Sequence, residues 1–216
     1  MVKGGYAVND AHRINHKNVS EELLLIDASE KGDIGAVKAL LDKGVFVHAQ
    51  DDGGRCAIVA AAYHNRVEVL DLLIEAGADV NMMDDTLQSA YLISTSEGYT
   101  ELLQKTLAAG ADVHSTDSFN GTGLIRAADH GHVEIIRELL KTSIRLNHVN
   151  RLGWTALLEA IILGDGGEGH TQVVSMLVDA GADVNLPDRD GHSPLAHAQS
   201  KSQREIINIL RQAGAR

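Results

Sequence analysis

The chain has 216 residues, 44% of them hydrophobic, enough for a sizeable core and too many for a disordered tail. One Trp, four Tyr and two Phe cannot fill the centre of a compact sandwich or barrel of this size, so the core must be Ala, Leu, Val and Ile between closely packed helices. Nineteen Lys and Arg against 30 Asp and Glu leave a formal charge of −11, which opposes general binding to phosphate backbones or anionic membranes.

Residues 1–19 match no repeat and carry Lys3, Arg13 and Lys17 against Asp10, a charge of +2 that leaves −13 on the rest. They read as an N-terminal extension, either disordered or lying on the acidic body. The start lacks the apolar run of a signal peptide, and no apolar stretch reaches the roughly 18 residues of a membrane span. With Cys56 as the single cysteine, an intramolecular disulfide is impossible. The expected setting is a soluble, reducing compartment, most simply the cytoplasm.

From residue 20 onward the sequence repeats. A glycine column runs Gly44, Gly77, Gly110, Ser143, Gly181, Gly214 at a spacing of 33, except that 143 to 181 is 38, five residues longer. A small-residue column reads Ala28, Ala61, Ser94, Ala127, Ala160, Ala198, and a leucine column Leu40, Leu73, Thr106, Leu139, Leu177, Leu210. Self-similarity at this period fixes the architecture before any residue is read for chemistry.

The first unit, about 20–50, opens with Ser20 as an N-cap ahead of Glu21 and Glu22, which favour a helix start. The second, 51–83, predicts an Ala-rich helix from Cys56 to His64 and another from Val67 to Ala76, with Val67, Leu70, Leu73 and Ile74 on one face. Gly77 suits the left-handed position that ends a helix. Units at 84–116, 117–149, 150–187 and 188–216 follow the same plan, with Asp51, Asp84, Asp117, Asn150 and Asp188 opening the intervening turns. In the last unit the outward rows become polar, as a terminal repeat requires. The predicted fold is an all-α solenoid of about six helix–turn–helix units with short hairpin-like connecting loops.

These phrases resemble the ankyrin repeat family over roughly 20–216. Its signature survives as Ser193-Pro194-Leu195-Ala196 and, more degenerately, as Thr122-Gly123-Leu124-Ile125 and Thr155-Ala156-Leu157-Leu158. Gly131-His132 and Glu75-Ala76-Gly77-Ala78-Asp79-Val80-Asn81 match closely. The stretch from Asn147 to Ile161 is similar to small stand-alone bacterial ankyrin proteins without an enzyme domain. The resemblance implies a protein-binding array in which first helices and hairpin tips line a concave face.

Columns on that face carry the candidate site. Arg55, Gln88, Gly121, Trp154 and His192 form one, in which Trp154 is either a binding hot spot or a cover over a neighbouring hairpin. Asp27, Ala60, Ile93, Arg126, Glu159 and His197 form another. Here Arg126 and Glu159 are expected to face each other as an ion-pair ladder, with Asp129 three residues after Arg126 on the same helical face. Alternatively, Arg126 is presented to an acidic group of a partner or to a small anion. Met82, Met83, Phe119, His148, Arg151, Pro187 and Arg189 at the tips suggest an adaptable contact strip.

The glycine-rich insertion Gly164–His170 lacks the strand and the Gly-Lys-Ser/Thr of a phosphate loop, and reads as a flexible bulge, with calcium at Asp165 and Glu168 a minor alternative. His192 and His197, five apart, are not expected to converge, and no catalytic triad or nucleotide fingerprint stands out. Cys56 reads as a small buried thiol. The leading expectation is a non-enzymatic, monomeric module without cofactors that binds a protein or peptide of basic character, and neither nucleic acid nor membrane. The alternative is a small-molecule or metal site formed by Arg126, Asp129, Glu159 and Asp165.

Overall fold

The computed structural model describes residues 20–216, so the extension at 1–19 lies outside the described residues. Among the described residues twelve α-helices follow one another in pairs and no named strand occurs. The pairs are α1 (Glu21–Lys31) and α2 (Ile34–Asp42), α3 (Ala57–Tyr63) and α4 (Val67–Glu75), α5 (Ala90–Glu97) and α6 (Thr100–Ala108). Then come α7 (Gly123–Asp129) and α8 (Val133–Leu139), α9 (Ala156–Ile162) and α10 (Glu168–Asp179), α11 (Pro194–Ser200) and α12 (Arg204–Gln212). Odd-numbered helices pack in one row, each against the next, and even-numbered helices in a second row behind them. The chain is an all-α repeat solenoid.

The two rows differ in what they bury. Residues Ala57 to Ala62 of α3 are all buried, because a first helix is covered by both neighbours and by its own partner. Small side chains are what permit that approach. The α4 helix buries only Val69, Leu70 and Leu73, with Val67 and Ile74 partly covered at the edges of the stripe. Side-chain oxygens of Ser20, Ser89, Thr155 and Ser193 cap α1, α5, α9 and α11 by accepting from Leu23, Leu92, Leu158 and Ala196 N–H groups.

Departures from the repeat have local causes. Gly77 ends its helix with φ +88°, whereas no left-handed residue follows α8, where Ser143 takes the column. There the helix stops at Leu139, whose carbonyl accepts from the Thr142 hydroxyl at 2.6 Å. Gly123 is required by its neighbour: a Cβ there would lie 2.5 Å from the hydroxyl of Tyr91, a fully buried side chain reaching across from α5.

The insertion is not the free bulge expected from its glycines. Residues Glu168 to His170 extend the second helix, making α10 12 residues long against 9 in α4. Lys201 Nζ donates to the Ile162 and Gly164 carbonyls at 2.6 and 2.8 Å, and Gln203 Nε2 to the Ile161 carbonyl at 3.1 Å. Carbonyls left over at the end of α9 are thus taken up by the last repeat, which anchors the loop.

Candidate functional site

Each turn is built around one polar side chain. Oδ1 of Asp117 accepts from the Phe119 and Gly121 N–H groups, both at 2.8 Å, and Oδ1 of Asn150 accepts from Leu152 (2.9 Å) and Trp154 (3.0 Å). Asp188 does the same for Asp190 (3.0 Å) and His192 (2.8 Å). These bonds close the hairpins from within and leave one side-chain atom per turn to be satisfied.

The residue nine positions later supplies that partner in three consecutive repeats. Arg126 Nε lies 3.5 Å from Asp117 Oδ2, and His197 Nε2 lies 2.8 Å from Asp188 Oδ2. Asn150 is the odd member, for its remaining atom is a donor. Its Nδ2 gives a 2.6 Å hydrogen bond to Oε1 of Glu159. The side chain at the second position has changed from donor to acceptor with the change from acid to amide.

This geometry corrects the expected ladder. Arg126 does not pair with Glu159; it is shared between Asp117 and Asp129, the latter at 4.0 Å. Each turn residue is closer to its own helix than the helices' charged groups are to each other. Asp165 also leaves the predicted cluster. Its carboxylate accepts from the Gly167 N–H and lies 3.1 Å from His170, whose other ring nitrogen meets the Asp129 carbonyl at 2.9 Å.

Between α7 and α9 a cleft of about 130 Å³ is lined by Asp117, Arg126, Asp129, Asn150 and Glu159 below, with Phe119, Leu152 and Leu163 around it. The three apolar side chains are 57%, 47% and 49% exposed. Phe119 and Leu152 occupy the same position of successive turns, one period apart, so they form a strip rather than scattered contacts. Glu159 is the opposite case, a carboxyl 5% exposed whose Oε2 has no hydrogen-bond partner. Burial, then the charge of Asp129, pushes this carboxyl up to about 7, against the Asn150 hydrogen bond and the Arg126 charge. It is poised to exchange a proton near neutrality.

The remaining candidates divide. Trp154 is half-buried, with its backbone fixed by Asn150. Met83 packs partly into the core and its carbonyl accepts from Gln50, so it is not a free tip residue. His148 is held by Asn120, whose carbonyl lies 2.8 Å from Nε2. Arg151 N–H donates to the Phe119 carbonyl at 2.8 Å, and Arg189 reaches the Arg151 carbonyl, so both brace successive tips. Cys56 is buried, which pushes its thiol up to about 11.

His192 and His197 do converge, contrary to the five-residue argument, because His192 precedes the helix rather than lying on it. Their rings are 5.6 Å apart and both face Asp188. One ligand atom from each of the three residues lies within 4.8 Å of the others, yet both Asp188 oxygens are already engaged. The nine-residue pairing is carried in the sequence by Asp117 and Arg126, Asn150 and Glu159, and Asp188 and His197, a diagonal within each repeat that columns across repeats do not show.

A family model described as ankyrin repeats (three copies) matches residues 4–84 and 91–188, its first stretch beginning inside the region read as an extension. The putative ankyrin repeat protein YahD of Escherichia coli (strain K12) is 43% identical over 70 residues, 32% of this chain and 35% of that protein. The chain thus spans about a third of that curated relative's length in the match. The crystal structure of an ankyrin repeat domain from Acinetobacter baumannii AYE superposes with a TM-score of 0.88 at 45% identity, covering 90% of this chain and all (100%) of that one. The ankyrin repeat protein EF0377 gives 0.85 at 31% identity, covering 89% and 98%. No described helix is long and apolar enough to cross a membrane.

Proposed function

The chain belongs to the ankyrin repeat family, whose arrays are generally protein-interaction modules, and we propose on that premise that it is a non-enzymatic, monomeric binding protein. Its contact surface is the face made by the first helices and hairpin tips of the fourth and fifth repeats. The observation that carries this reading is the exposed strip Phe119–Leu152–Leu163 around a polar cleft, on a body that is otherwise strongly acidic. Half-buried Trp154 adds aromatic area beside the same turn. A preformed array loses little ordering entropy on association, and its charge attracts a partner of basic character while opposing nucleic acid and anionic membrane. The cytoplasm suits such a protein.

The test is a pull-down read by mass spectrometry, comparing wild type with Trp154→Ala and Phe119→Ser. A partner retained by wild type and lost by both variants, each with a melting temperature near wild type, is the expected result. Equal capture by all three overturns the assignment of this face.

A further inference from the structure

We propose that the cleft between α7 and α9 is a pocket for a lysine side chain of a partner protein, the ammonium seated on Glu159 and the four-carbon stem lying against Phe119, Leu152 and Leu163. The inference rests on the protein-binding reading and names what that surface recognises. Its first support is the orphan atom. Glu159 is buried at 5% exposure, its Oε1 is occupied by Asn150, and Oε2 has no hydrogen-bond partner. Buried acceptors in folded proteins are satisfied, and this one, covered from solvent on a residue that lines the cleft, marks where a donor is missing and where one entering between the rim side chains would be held.

The second support is charge. Asp117, Asp129 and Glu159 line the cleft against Arg126 alone, and Arg126 is divided between Asp117 and Asp129. An anion entering here would meet more carboxylate than guanidinium, whereas a cation completes the set. A calcium or magnesium ion would want about six oxygens, whereas the lining here gives Phe119, Leu152, Leu163 and the guanidinium of Arg126 a large share. A guanidinium prefers two parallel acceptors, and Asn150 already holds the second oxygen. A compact ammonium on an aliphatic stem fits both the single acceptor and the apolar rim.

The pocket also carries a proton. Burial and the Asp129 charge hold the Glu159 carboxyl at about 7, so a cation must displace a proton below that pH and finds the site ready above it. The groups facing Glu159 are Arg126 and Asp129 from α7 and Asp117 and Asn150 from the turns, while His197, at the equivalent position of α11, is engaged with Asp188. His130 Nδ1 lies 3.8 Å from the Asp129 carboxylate on the same side.

The probe is Nα-acetyl-lysine methylamide, titrated into the full chain and followed by amide chemical shifts, with the norleucine, Nε-acetyl-lysine and arginine analogues as controls. The expected result is saturable shifts at Leu152, Trp154 and Leu163 for the lysine probe, and markedly weaker ones for the other three. Affinity should be about tenfold higher at pH 8 than at pH 6, following the ionised fraction of a group at about 7. Glu159→Gln should abolish that pH dependence, and Leu163→Ala, which keeps the buried acid, should weaken lysine and norleucine probes alike. Equal binding of lysine and norleucine probes, no shifts at pH 8, or a pH dependence surviving in Glu159→Gln overturns the pocket. The titration needs no natural partner, so its failure leaves the pull-down to decide the protein-binding reading separately.

Discussion

The turns at Asn150 and Asp188 are built on the same backbone plan and end in opposite electrostatic states. At Asp188 every side-chain oxygen has a donor, with His192 and Asp190 N–H groups on one and the His197 ring on the other. Burial pushes that carboxyl up, but these donors outweigh it and hold the group below its ordinary range. At Asn150 the amide has donated to Glu159, and the burden of an unmatched oxygen has moved nine residues along the chain. A one-atom change in the turn, oxygen to nitrogen, thus decides whether a repeat closes its polar accounts internally or keeps a buried, unpartnered acceptor on a residue that lines a cleft. The lesson is that irregularity in a repeat array can arise as a compensated pair, with each member unremarkable alone.

The most severe way to break the comparison is Asn150→Asp, which sets a second carboxylate at the 2.6 Å contact with Glu159. Like charges buried this closely cannot both ionise, and a loss of about 3–5 kcal/mol at pH 8 is expected. Adding Glu159→Arg should restore most of it by recreating the Asp117–Arg126 arrangement, and thermal melts of the single and double variants measure the coupling. No rescue would mean the pairing rule is an accident of these repeats.

Next in size is Glu159→Gln. Folding raises this carboxyl from an ordinary 4.5 to about 7, so the folded chain holds its proton more tightly than the unfolded chain. Wild type is therefore penalised progressively as pH rises from 4.5 through 7, by about 3 kcal/mol once the group is ionised in both states. The amide should melt several degrees above wild type at pH 8 and close to it at pH 4.5, which melting curves at the two pH values will show. The Asp188 turn should respond with the opposite sign: its depressed carboxyl contributes stability above its ordinary 3.8 that is lost as pH falls below it, so Asp188→Asn should flatten the acid limb.

The smallest effect comes from the third repeat, where position nine is Ile93 and cannot pair. There the Asp84 carboxylate instead accepts a 2.6 Å hydrogen bond from Tyr63 of the preceding unit. Tyr63→Phe should cost about 1 kcal/mol, discounted from a buried charged bond because the ring is 36% exposed. A denaturant midpoint unchanged within error would show that turn carboxylates here tolerate a missing partner, and would weaken the meaning given to Oε2 of Glu159.

Most of the architecture was legible because it is periodic. Gly44, Gly77, Gly110, Gly181 and Gly214 all adopt positive φ, and the helices they end fall where their columns predict. What escaped was aperiodic or diagonal. Nothing at Gly123 announces that it clears space for Tyr91, since the two lie 32 residues apart in different columns. Comparison at one period paired Arg126 with Glu159, whereas sequence-local turns had first claim on both side chains. His148 and Arg151 looked like free tip residues because loop bracing between successive units leaves no trace in composition.

Anchoring of the Gly164 loop by Lys201 and Gln203 ties the fifth repeat to the one that closes the array. End units of a linear array fray first, because each has a single neighbour. Fraying at α11 and α12 would therefore free the carbonyls of Ile161, Ile162 and Gly164 as well, and amide exchange in the loop and in the terminal pair is expected to follow one cooperative opening.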